Sequence, residues 1–120
     1  ISTASGKEVI IQELGCPAGF DNGTSYIGTS PEQQRAFFEE AFTALRTKPK
    51  VRAAFVFQLV DWSQSLTSLF GQILRDEGVD DSFVRRFEEW LMTIGFCTYD
   101  DGTQRPSWDE FLECLDALYD

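Results

Sequence analysis

The chain has 120 residues, 42% hydrophobic and 14% aromatic, enough for a single unit (residues 1–120) with its own core and too apolar for a disordered segment. Its 20 acidic and 10 basic residues leave a formal charge of −10, which argues against nucleic acid or an anionic membrane as a partner and is accounted for by solubility. Histidine is absent, which removes Ser-His-Asp and Cys-His catalysis and histidine-based metal motifs and leaves carboxylates as the acid/base groups.

The first predicted element is a strand from Glu8 to Leu14, a continuous apolar run of the kind found in parallel sheets covered on both faces. It ends by presenting Glu13 just before a loop. A carboxylate at the mouth of an apolar strand is costly unless it is paired, hydrogen-bonded or solvated, so Glu13 is the residue that asks for a reason. The loop, Cys16 to Thr29, contains Pro17, Gly19, Asn22, Gly23 and Gly28 and is expected to lack regular structure.

Ser30-Pro31-Glu32-Gln33 marks a helix start, with Ser30 as cap, Pro31 at the first helical position and Gln33 completing a capping box. Phe37, Phe38, Ala41, Phe42 and Leu45 then recur at helical spacing, opposite Glu39, Glu40, Thr43 and Arg46. Pro49 stops that helix, and Val51 to Val60 has the composition of a second buried strand. Strand, helix and strand in this order predict parallel pairing through a right-handed crossover. Asp61-Trp62-Ser63 would then lie on the same sheet edge as Glu13.

A short helix is predicted over Leu66 to Leu74, and a stronger amphipathic one carries Phe83, Val84, Phe87, Trp90, Leu91 and Ile94, with Gly95 as terminator. Asp100-Asp101-Gly102 reads as a turn. Ser107 and Glu110 form a second capping box before a last helix with Trp108, Phe111, Leu112, Leu115 and Leu118 inside. The pairs Glu39-Glu40 and Glu88-Glu89 lie opposite apolar stripes and are read as solvated. Cys16, Cys97 and Cys114 are an odd number without Cys-x-x-Cys spacing and are read as buried free thiols. No apolar run approaches the roughly 20 residues that span a bilayer, so a soluble chain is expected, and no targeting segment is seen. Since it opens on Ile1, it is expected to be part of a longer protein.

Taken in order, a strand ending Glu13-Leu14-Gly15, a Ser30-Pro31-Glu32 helix start, a strand ending Asp61-Trp62, and a tail with Gly95-Phe96, Asp101-Gly102, Arg105-Pro106 and Trp108 resemble the C-terminal part of a clan A-type glycoside hydrolase barrel. The resemblance implies an α/β fold that is a partial TIM (β/α)8 barrel: two parallel strands, the seventh and eighth, with covering helices and a helical C-terminal tail. It implies hydrolysis of O-glycosidic bonds by a retaining mechanism, with Glu13 as nucleophile and Trp62 stacking under a sugar ring. Gln58 and Asp61 join Trp62 as candidate substrate-binding residues. No cofactor or metal is implied, and the resemblance is compatible with secretion.

The acid/base carboxylate of such a mechanism belongs on the fourth strand, after an Asn, and this chain has no Asn-Glu pair. A retaining site needs two carboxyl groups about 5 to 5.5 Å apart. Asp61 is the local substitute, yet strand alternation sends it away from the face that Trp62 takes. For this chain alone, Glu13 also reads as a strand-end residue that caps backbone or pairs with an Arg, and the tryptophans as packing residues. Gln58 points either beside Glu13 or into the interior. The alternative function is a small non-catalytic α/β domain. In both readings open strand edges and an exposed apolar face call for a homo-oligomer or for the missing part of the barrel.

Overall fold

The computed structural model describes residues 6–20 and 23–119; Ile1 and Asn22 lie outside them. The chain is mixed α/β, with strands β1 (Val9–Leu14) and β2 (Val51–Val56) and helices α1 (Pro31–Arg46), α2 (Gln64–Asp76), α3 (Asp81–Met92) and α4 (Ser107–Tyr119). The strands pair in parallel, as the strand-helix-strand order requires.

Helix starts follow local chemistry. Ser30 is extended (φ −140°, ψ 161°) and its Oγ accepts from Gln33 N at 3.1 Å, with Pro31 opening the helix. Ser63 caps α2 through Leu66 N at 3.2 Å, which is why α2 starts two residues before the predicted Leu66. Asp80 caps α3, accepting from Ser82 N and Phe83 N. Ser107 departs from its expected role: its Oγ donates to Gln34 Oε1 at 2.8 Å, and Glu110 takes Arg35 at 2.8 Å, so both members of the predicted capping box are drawn into tertiary contacts.

The second strand is shorter than the predicted Val51 to Val60. Phe57 N donates to Leu14 O at 2.8 Å, the last bond between the two strands. Beyond it the chain changes partner: Phe96 N donates to Gln58 O, Cys97 N to Leu59 O and Asp61 N to Cys97 O. Gly95 sits inside this contact. A Cβ there would lie 2.4 Å from Asp61 N and 2.6 Å from Val60 C, so the residue is glycine for close backbone approach; α3 itself ends at Met92 with Thr93 as cap. Gly15 is held by the same rule, its Cβ position lying 2.3 Å from Phe57 O.

One face of the sheet is covered and the other is open. Leu14 and Val56 pack on a core of Phe38, Phe42 and Phe96 that α1 and α4 close, with Phe96 stacked on Phe111 at 5.1 Å. Each such Phe, once buried, contributes about 1.5–3 kcal/mol. On the opposite face Ile10 and Phe55 remain 60% and 59% exposed. On α4, Leu112 and Leu118 are exposed, so its inner face is narrower than the spacing predicted.

Candidate functional site

Glu13 stands at the C-terminal end of β1 because the strand is bulged there. Ile11 pairs with Ala54 and Leu14 with Val56, so Gln12 and Glu13 together oppose Phe55 alone. The extra residue lets both remain exposed while Leu14 returns to the core. Among the described residues the Glu13 carboxylate has no hydrogen-bond or ion-pair partner. It is a solvated anion on the edge that parallel pairing shares with the end of β2.

Asp61 is in a different situation. It is buried, accepts from Gly95 N at 2.7 Å, and receives both terminal nitrogens of Arg105 at 2.7 Å. Arg105 also donates to Gly95 O at 2.7 Å. A planar guanidinium matches a carboxylate two bonds at a time, so this pair binds the end of β2 to the tail and commits Asp61 to the fold. Strand alternation does not separate Asp61 from Trp62 as expected, because β2 ends at Val56 and both residues border one cleft; what sets Asp61 apart is its engagement by Arg105.

Trp62, one residue on, is half-buried, with its ring edge-on to Phe70 at 5.5 Å. Its Nε1 is buried without a partner among the described residues. Trp62 lines a cleft of about 380 Å³ with Gly19, Phe20, Gln64, Thr98 and Tyr99, a size that suits a small ligand. Glu13 and Gln58 do not line it. Gln58 is half-buried, and its carbonyl is taken by Phe96 N. The fold therefore brings Asp61 and Trp62 to one cleft and leaves Glu13 and Gln58 outside it.

Two polar residues central to this region were not picked out from the sequence. Gln34 is fully buried, and its amide donates to Cys16 O at 2.9 Å and Gly95 O at 3.1 Å while accepting from Ser107. It ties the loop after β1 to the segment after α3 and to the start of α4. Glu89 overturns the solvated reading of the Glu88-Glu89 pair. It is fully buried, and among the described residues it accepts from Phe20 N (2.9 Å), Ser25 Oγ (2.6 Å), Tyr26 N (2.6 Å) and Ile27 N (3.2 Å). Burial raises its pKa, but these bonds outweigh burial and hold it below the usual carboxylate range. The helical repeat carried no signal of this: five residues after Val84 and two before Leu91, Glu89 lies on the other side of the helix from both, and what buries it is a distant loop.

The cysteines are free and half-buried, and burial pushes the Cys16 thiol up, away from nucleophile chemistry. Among the described residues no group of His, Cys, Asp and Glu is placed to hold a metal, and no helix is long and apolar enough to cross a membrane. The chain matches no protein-family model, no curated protein and no solved structure. What the coordinates define is thus a class, a two-stranded parallel α/β unit with a solvated carboxylate at its strand ends.

Proposed function

We propose that this chain is the seventh- and eighth-strand portion of a TIM-barrel glycoside hydrolase that cleaves O-glycosidic bonds with retention, Glu13 acting as nucleophile. The observation that carries the reading is Glu13 itself: a solvated carboxylate, without a partner among the described residues, at the C-terminal end of a parallel strand, where α/β barrels keep their chemistry. Ile10 and Phe55 on the uncovered face would be barrel interior, packed by six further strands outside this chain.

In that setting Glu13 attacks the anomeric carbon while an acid outside the chain protonates the departing oxygen. The glycosyl ester forms as the bond to the aglycone breaks, and water then releases the sugar with the second carboxylate now acting as base. Trp62, and Gln58 if its amide turns toward the open face, would contact the sugar. Asp61 would act on substrate only by fixing the backbone of Trp62.

The test is a polypeptide that contains the complete barrel, assayed with activated aryl glycosides. Glu13→Ala should abolish hydrolysis, and added azide should restore cleavage with inversion at the anomeric carbon, because azide takes the place of the lost carboxylate. Activity near the unsubstituted level would remove Glu13 from the mechanism. The present chain alone should not turn over glycosides, since the general acid's factor of about 10² to 10⁴ is missing with most of the cleft.

The exposure of Ile10 and Phe55 also favours a second reading, a non-catalytic domain that self-associates through this face. Light scattering on the chain decides whether the face drives association. A compact monomer at high concentration counts against it.

A further inference from the structure

The loop between β1 and α1 begins just past Glu13, its described residues form no helix or strand, and yet five of its backbone amides are fastened to α3 and its cap Thr93. Ala18 N donates to Thr93 O at 2.8 Å and Gly19 N to Thr93 Oγ1 at 3.0 Å. The next bonds all end on one side chain: the amides of Phe20, Tyr26 and Ile27 and the hydroxyl of Ser25 have the Glu89 carboxylate as acceptor. Two of these four donors fall on each carboxylate oxygen.

The fastened segment is a partition. Gly19 and Phe20 form a wall of the Trp62 cleft, and Phe20 and Tyr26 form a wall of a second cavity, of about 350 Å³, on the side of Arg75, Glu88 and Glu89. The other charged groups at this place are spoken for. Arg75 pairs with Glu88 and Asp81, and Arg85 pairs with Asp81 while its guanidinium lies over the Tyr26 ring and donates to the Tyr26 hydroxyl. Among the described residues the wall's backbone N–H bonds toward α3 end on Thr93, at its start, and on Glu89, while Arg85 adds a side-chain tether at Tyr26.

We propose that Glu89 is a positioning residue: it anchors the Phe20 and Ser25 to Ile27 segments on α3, and through Gly19 and Phe20 it sets the shape of the Trp62 cleft without touching a ligand there. The consequence for substrate rests on reading that cleft as part of a glycosidase; the anchoring does not. A carboxylate suits the task because it offers only acceptors. An amide at this position would turn an NH₂ toward two of the four donors, so Gln is not an equivalent.

Amide hydrogen exchange on the full chain tests the anchoring. In Glu89→Ala, protection of the Phe20, Tyr26 and Ile27 amides should fall by at least about 10-fold, since a hydrogen bond to a charged group is worth roughly a decade or more in an opening constant. Glu89→Gln should lie between Ala and the unsubstituted chain, and amides of β1, β2 and α1 should be unaffected. Unchanged loop protection in Glu89→Ala overturns the proposal, as does an equal loss in the strands. If the variants do not fold, exchange of the unsubstituted chain in increasing urea decides: loop amides opening well before the strands support it, and simultaneous opening overturns it.

In the complete barrel, Glu89→Gln should raise KM for aryl oligoglycosides several-fold with kcat nearly unchanged. A kcat loss as deep as that of Glu13→Ala would exclude a positioning role. If the unsubstituted barrel cleaves no glycoside, the function proposed above fails and the exchange results still decide the anchoring.

Discussion

Two carboxylates flank one loop, one just before it in the chain and one packed against it from α3. Glu13 precedes it, exposed and without a partner among the described residues, whereas Glu89 holds it from the far side, fully buried and saturated with donors. Both sit where an isolated charge needs a reason, and the protein supplies opposite ones. Glu89 is spent on structure, because a buried anion is tolerated only when hydrogen bonds replace its water. Glu13 is left to solvent, with no partner among the described residues. The same contrast separates Asp61, locked to Arg105, from the open edge beside it.

The contrast can be broken or sharpened by substitution, with urea denaturation as the readout. The largest effect should come from Arg105→Ala, which strands the buried Asp61 carboxylate and should cost about 3–5 kcal/mol. Replacing Asp61 and Arg105 together by apolar residues should cost much less, and a loss as large as that of Arg105→Ala would show that the pair itself, not the stranded charge, dominates. Next is Glu89→Ala, which leaves three loop amides without their acceptor and should cost about 1–3 kcal/mol, with part of the demand met by water entering the loop.

Ser107→Ala should follow at about 1 kcal/mol, because it removes one donor from the buried Gln34 amide and leaves the other contacts of that amide in place. Glu13→Gln should be the smallest, within about 0.5 kcal/mol, as befits an exposed side chain without a partner among the described residues. A loss above 1 kcal/mol would mean that Glu13 carries structure after all.

Titration gives the same comparison without mutation. The folded-state pKa of Glu89 is lowered, so its stabilising contribution is fully present above the ordinary carboxylate range. It is lost as pH falls through that range toward the depressed value, where protonation turns an acceptor into a donor facing other donors. The pH dependence of unfolding in Glu89→Ala should therefore be flatter in acid than that of the unsubstituted chain. Equal slopes would contradict the shift.

How legible all this was depends on the range of the interactions. The elements themselves follow from local pattern: the Ser30-Pro31 start and the Phe37, Phe38, Phe42 stripe make α1 wherever the chain goes, and the apolar runs on either side can pair only in parallel across that helix. The sequence by itself also determined the absence of histidine chemistry and the placing of Glu13 at a strand end. Only tertiary structure decided what the polar side chains are for. Ser107 looks like a cap until Gln34 arrives from another helix, and Gly95 looks like a terminator until the backbone of Val60 and Asp61 lies against it. Glu89 looks solvated because one helix shows only its own stripe, while the loop amides that bury it come from more than 60 residues away. Hydrophobic periodicity is written along the chain, whereas the satisfaction of a buried polar group requires partners that only folding brings together.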